Sequence, residues 1–160
     1  MAIAAQRVPA LRPITDPLSL RVRAQYESWP YPRWRGLPPI RQRRLAEVLG
    51  RTLGTPAMGT PTHAAIATLP DDPEILIAGG GTGRHTIHAA RRYQHRSVTA
   101  VDLSAASLTY AAHKAGVHGC ADVAMLQADL FDLTSERLEA AGRPGRFHLI
   151  EAEGVLHHTA

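Results

Sequence analysis

The sequence predicts an α/β fold, a parallel sheet with helices on both faces, behind a helical lead. Three observations predict it. From Glu74 onward, short apolar runs alternate with longer segments of helical pattern, the order that builds parallel strands joined by crossovers. The first run, Ile75–Ala78, ends in a glycine cluster at Gly79–Gly83, as expected of a strand buried on both faces that turns into a helix. The 160 residues are 44% hydrophobic and 20% charged, which supplies a core and argues against disorder.

The elements follow in order along the chain. Met1–Pro13 is small, basic and broken by Pro9 and Pro13, and reads as a loose arm. Asp16 and Pro17 form an N-cap and first helical position for a short helix over Leu18–Glu27. Two prolines in Trp29–Trp34 forbid helix and favour an extended segment. A second helix is expected over about Ile40–Leu49, with Leu45, Val48 and Leu49 on one face, and Gly50–Pro73 is expected to be a connector with at most one short helical turn. Strands are then expected at Ile75–Ala78, Ser97–Val101, Val123–Gln127 and Phe147–Ala152. Helices are expected between them at Gly83–Tyr93, Ser104–Ala115, capped by Ser104, and Ser135–Ala141. Residues 1–73 thus read as arm, lead and linker, and 74–160 as the sheet unit. The chain stops just beyond the fourth strand, where another crossover helix should begin. The expectation is therefore a truncated or split chain, or one whose sheet is completed by a partner chain.

Composition excludes several classes of function. No apolar run approaches the roughly 20 residues of a membrane span, so no membrane association is expected. Cys120 is the single cysteine, which rules out a disulfide framework and a cysteine-based zinc site and suits a reducing, cytoplasmic setting. Nine histidines are present, but His85 with His88 and His157 with His158 lack a third ligand at matching spacing, so no metal is expected. Charge is uneven: residues 1–51 hold ten Arg against Asp16, Glu27 and Glu47, a net +7, while the remainder is −3. The arginine-rich arm is the one region that could touch nucleic acid. It lacks the aromatic-basic repeats of RNA binders, so nucleic acid is not the expected partner.

The chemistry concentrates around Gly79-Gly80-Gly81-Thr82-Gly83. Gly79 permits a tight turn off the strand, Gly81 leaves room for a ligand against the backbone, and Gly83 allows close packing of the helix start. The helix amino terminus offers unsatisfied N–H groups to an anionic part of that ligand. Nineteen residues past Gly83, Asp102 ends the second strand, where a carboxylate can accept both hydroxyls of a ribose. A Rossmann-like unit that binds a nucleoside is the implied architecture. The third glycine of a dinucleotide fingerprint would fall at Arg84, which disfavours a pyrophosphate cofactor.

Four blocks in order, Gly79–Gly83, Val98–Ser104 (VTAVDLS), Leu126–Leu133 (LQADLFDL) and Phe147–His158 (FHLIEAEGVLHH), resemble the class I S-adenosylmethionine-dependent methyltransferases over residues 74–158. The C-terminal half of that fold is missing from this sequence. Tyr26–Trp34 (YESWPYPRW) is similar to the lead of a methyltransferase group often linked to tetratricopeptide repeats. The resemblance implies S-adenosyl-L-methionine as cofactor and an unidentified methyl acceptor as partner. It implies that Gly79, Gly81 and Gly83 wrap the methionine end, that Asp102 holds the ribose, that Leu103, with Leu130 nearby, packs at the adenine, and that Asp129 accepts from the adenine amino group. The family's acid two residues before the first glycine is replaced by Ile77.

Around that frame, Glu151 or Glu153 is expected to point to the ligand mouth, with Glu151 placed among the cofactor-binding residues. His157 and His158 have two readings, a place at the active-site rim or loop histidines without chemistry, the second favoured. Tyr26, Tyr31, Arg33 and Trp34 have two equal readings, a lid over the cofactor with Arg33 pairing the methionine carboxylate, or packing against the surface of the sheet domain. No catalytic base is assigned. The alternatives are a nucleoside-binding remnant or half-domain without turnover and, less favoured, an NAD-dependent oxidoreductase, which the absence of a YxxxK pair opposes.

Overall fold

The structure, a computed structural model, describes residues 8–54 and 56–156. Its centre is a four-stranded parallel sheet of order β3-β2-β1-β4, formed by β1 (Glu74–Ala78), β2 (Ser97–Asp102), β3 (Ala124–Gln127) and β4 (Leu149–Ala152). Helices α4 (Arg84–Arg92), α5 (Ala105–Val117) and α6 (Ser135–Ala140) lie in the crossovers, and a single 3₁₀ turn, Leu130–Asp132, follows β3.

Period-two alternation divides the core. Ile75 and Ile77 of β1 face a cluster with Ile87 and Ala90 of α4 and Leu108, Ala111 and Ala115 of α5. Leu76 and Ala78 face the other way, onto Val101, Leu126 and Leu138 of α6. The near-continuous burial of β1 and β2 is that of strands covered on both faces. Among the described residues β4 pairs with β1 alone; it alternates between half-buried and exposed and leaves Ile150 60% exposed.

Three expectations for the lead are corrected. Helix α1 (Pro17–Ser28) forms as predicted, its N-cap Asp16 accepting from Ser19 N at 2.7 Å. Helix α2 covers Leu45–Leu53 instead of beginning near Ile40. Arg43 is drawn into a parallel bridge beside Tyr93, donating N–H to Arg92 O at 2.9 Å and accepting from Gln94 N at 2.8 Å. Those tertiary bonds hold the approach to the helix extended. The linker carries a seven-residue helix, α3 (Pro61–Ala67), more than one turn. It is started by Thr60, whose hydroxyl accepts from His63 N, and by Pro61 at the first position, a local signal that the Gly/Pro-rich composition obscured. The arm is not loose where it is described. Gln127 N donates to Pro9 O and Leu11 N to Gln127 O, both at 2.8 Å, so residues 9–11 cover the outer edge of β3.

Candidate functional site

The carboxyl ends of the strands open into a cavity of about 630 Å³, the place where parallel α/β sheets receive ligands. The turn after β1 forms its floor. Gly79, Gly81 and Gly83 all hold positive φ, at 75°, 49° and 85°, a region that L side chains avoid. Two of the three are also packed tight: a Cβ on Gly79 would lie 2.6 Å from Val155 Cβ, and one on Gly83 would lie 2.6 Å from Ala111 Cβ. A Cβ on Gly81 would meet nothing nearer than Gly79 O at 4.0 Å. Gly81 therefore leaves open space on its cavity side.

Four of the five amides of this turn are bonded within the protein. Gly79 N and Gly80 N both donate to Val101 O, Gly83 N donates to Gly80 O, and Gly81 N donates to Asp102 Oδ2 at 2.9 Å. The turn is stabilised from within, because short backbone amides beside the end of β2 find their partners there. Its contribution to the site is shape.

Asp102 is in the cavity wall. Oδ2 accepts from Gly81 and Oδ1 from Ser104 N at 2.9 Å, which ties the ends of β1 and β2 together. Each carboxylate oxygen retains a second acceptor site. Burial pushes the Asp102 carboxyl above the usual carboxylate range, against the hydrogen bonds from Ser104 and Gly81 that lower it, with nearby Glu27 adding to the rise. Leu103, Asp129 and Leu130 also line the cavity. Asp129 is buried and caps the 3₁₀ turn by accepting from Phe131 N at 3.1 Å, so it serves as a turn residue while facing the cavity. Ser107, also in the wall, has a buried hydroxyl with no hydrogen-bond partner among the described residues.

Glu151 is not brought into the cavity wall. It lies behind it, with Oε2 accepting from His85 Nε2 at 2.8 Å and Oε1 from Tyr93 OH at 2.6 Å. β4 sets Glu151 against His85 and Tyr93 of the α4 segment, behind the wall, and Glu153, past the end of the strand, lines the cavity. Burial raises the Glu151 carboxyl, but the bonds from His85 and Tyr93 outweigh it, so it ionises below its ordinary value. The same contacts, burial first, push the Tyr93 phenol upward and keep it a donor. Burial, with the charges of Arg92 and His85 next in weight, lowers His88, a further wall residue. His157 and His158 lie outside the described residues.

The lead forms the roof. Leu18, Ser19, Val22 and Tyr26 of α1 line the cavity with Tyr31, Pro32, Leu37 and Pro38. Trp34 is buried beneath the turn and donates Nε1–H to Thr82 O at 3.0 Å, while Thr82 Oγ1 donates to Pro32 O at 2.5 Å. Trp34 thus clamps the turn from outside the cavity. Arg33 is exposed, with its guanidinium 5.5 Å from the Trp29 ring centre, and takes no part in the wall. Cation–π stacking on a neighbouring indole satisfies it locally. The sequence reading missed Glu27, which accepts from Ser104 Oγ at 2.8 Å and Ala106 N at 2.7 Å. A carboxylate at a helix amino terminus is favourable, and this one joins α1 to the start of α5. Ser104 and its helix cap were visible in the sequence; the distant acid was not.

The fold resembles a ribosomal protein L11 methylase from Lactobacillus delbrueckii subsp. bulgaricus (26% identity, TM-score 0.40, covering 57% of this chain and 44% of that one). It also resembles a geranyl diphosphate C-methyltransferase from Streptomyces coelicolor A3(2), solved with S-adenosyl-L-homocysteine (18% identity, TM-score 0.47, covering 76% and 52%). An uncharacterized protein of Synechococcus sp. is 38% identical over 87 residues, 54% of this chain and 19% of that protein; the chain thus spans about a fifth of that relative. Among the described residues, no helix is long and apolar enough to cross a membrane. The family model described as a methyltransferase domain matches residues 75–160, more than half of the chain, and the chain belongs to that family.

Proposed function

We propose that this chain binds S-adenosyl-L-methionine across the carboxyl ends of its strands and acts in methyl transfer to an acceptor. The observation that carries this is the convergence of Gly81's open face, Asp102 and Asp129 on one cavity. Their order follows the strand order: Asp129 after β3, Asp102 at the end of β2, and the glycine turn after β1. An extended nucleoside with an amino-acid tail matches that sequence of groups. The cavity volume, the unpartnered Ser107 hydroxyl and a wall that carries Asp16, Asp102, Asp129 and Glu153 against Arg84 suit a polar ligand bearing a sulfonium cation.

In this assignment Asp102 accepts from the ribose hydroxyls, Asp129 from the adenine amino group, and Leu103 and Leu130 flank the base. Gly81 gives the amino-acid tail room, and residues 16–38 roof the site that residues 79–155 floor. When bound, the cofactor supplies an electrophilic methyl group, so no metal is called for. The chain's own work is to orient the reactants and exclude water. The α1 roof and the Trp34 clamp serve both ends.

Titration calorimetry with S-adenosylhomocysteine tests the assignment. Wild type is expected to bind it in preference to NAD, and Asp102→Ala is expected to weaken it about 100-fold, the loss of two charge-assisted hydrogen bonds. Preference for NAD, or an affinity untouched by Asp102→Ala, overturns it.

A further inference from the structure

We propose that His85 is the proton acceptor of the reaction and that the methyl acceptor is a protonated amine received beside Glu153; this deepens the cofactor assignment above and rests on it. With adenine toward β3 and ribose at β2, the reactive end of the cofactor falls toward β1 and β4. The residues that close this end are Arg84, His85 and His88 of α4 and Glu153, Gly154 and Val155 after β4.

His85 is held in one protonation pattern by its partners. Tyr93 OH donates to one oxygen of Glu151, and His85 Nε2 lies 2.8 Å from the other. A carboxylate only accepts, so Nε2 must carry the hydrogen and Nδ1 of the neutral ring keeps its lone pair. An acidic partner behind an imidazole fixes both tautomer and orientation. Nδ1 is the ring atom left over: it is buried and, among the described residues, without a hydrogen-bond partner. It lies 3.6 Å from Glu153 Oε2, on a side chain that is 79% exposed. A group that exposed moves at little cost, so an incoming substrate can displace it and reach Nδ1.

The neighbouring charge decides the acceptor class. Glu153 repels an anionic oxygen nucleophile and attracts an ammonium group. An ammonium nitrogen has no lone pair until it loses a proton. One N–H proton passes to Nδ1, and the freed amine forms its bond to the methyl carbon as the carbon–sulfur bond breaks. The products are a methylated ammonium, the neutral thioether and an imidazolium ring. The imidazolium sits between Glu151 and Glu153, which favour it, and then releases its proton to water. The charged and titratable groups around His85 are Arg84, His88 and Arg92 on α4, Tyr93 at its end, Glu151 on β4 and Glu153 beyond it. Glu151 and Tyr93 are positioning residues.

Sinefungin tests the proposal without a known acceptor, because it carries an amine in place of the sulfonium methyl and so presents N–H groups where methyl transfer occurs. Calorimetry on the full chain compares it with S-adenosylhomocysteine. Wild type is expected to prefer sinefungin. His85→Ala should cost sinefungin about tenfold, as for one hydrogen bond to a charged donor, and S-adenosylhomocysteine less than twofold. A preference unchanged by His85→Ala overturns the proposal. Nitrogen-15 spectra of the wild-type imidazoles provide a test that does not depend on a variant folding: a protonated Nε2 with a bare Nδ1 at His85 supports the proposal, and the opposite neutral tautomer overturns it. If wild type binds neither nucleoside, the cofactor assignment itself fails.

Discussion

Gly83→Ala probes the close approach on which the site depends. Gly83 holds φ 85° and ψ 3° just before α4, and an added Cβ would lie 2.6 Å from Ala111 Cβ and 2.9 Å from Ala111 Cα. Carbon atoms rest at about 3.5–4.0 Å, so α4 and α5 must separate by close to 1 Å. The left-handed backbone costs alanine about 1–2 kcal/mol, and overpacking adds about 1–3 kcal/mol. Loss of glycine's freedom in the unfolded chain returns about 0.4–1 kcal/mol. The net expectation is a loss of about 2–4 kcal/mol, or a Tm lower by roughly 5–15 °C for a chain of this size. Thermal and urea unfolding with and without S-adenosylhomocysteine measure it, and nucleoside affinity should fall too because Arg84 and His85 follow directly. Ala111→Gly in the same chain removes the worst contact while costing about 1 kcal/mol as a helix glycine. The double variant should therefore be less unstable than the sum of the two singles, by about 1 kcal/mol or more. A Gly83→Ala Tm that stays at the wild-type value, or strict additivity in the cycle, refutes the packing argument.

Three further outcomes follow from the same contacts. Trp34→Phe keeps a buried ring but removes the Nε1–H donor from Thr82 O; urea unfolding should show a loss of about 1–3 kcal/mol with little change in slope. Glu151 ionises below its ordinary value in the folded chain, so at acid pH the unfolded chain binds more protons and stability falls as pH drops from about 4.5 through the folded value. Glu151→Gln should flatten that acid limb in unfolding curves taken from pH 6 downward in steps of roughly one unit; an unaltered limb counts against the buried network. Arg33→Ala should leave S-adenosylhomocysteine affinity within about twofold, since Arg33 stacks on Trp29 away from the cavity. A tenfold loss by calorimetry would return Arg33 to the site.

Local signals served well where the physics is local. The β1 run ending in glycine, the Ser104 cap, the Asp16-Pro17 helix start and the placement of Asp102 and Asp129 at strand ends are each decided within a few residues of chain. Gly83 was read as a packing glycine, and its near contact with Ala111 gives that reading a partner. The errors came where a distant segment overrode local pattern. Residues 40–44 remain extended because Arg43 bridges to the end of α4, and residues 9–11 are ordered by the free edge of β3. Of the two glutamates expected at the ligand mouth, Glu151 is turned away because the α4 segment beside β4 sets it against His85 and Tyr93.

By itself the sequence determined the order of strands and helices, the glycine turn and the acids that follow it, because apolar period, caps and positive-φ positions are written in neighbouring residues. Tertiary structure alone decided which groups surround the cavity and in what state. Glu27 meets Ser104 across 77 positions, Trp34 meets Thr82 across 48, and Glu151 meets His85 across 66 and Tyr93 across 58. Such pairs leave no periodic trace, since their contact depends on how the sheet stacks β4 beside β1 and lays α1 over α5.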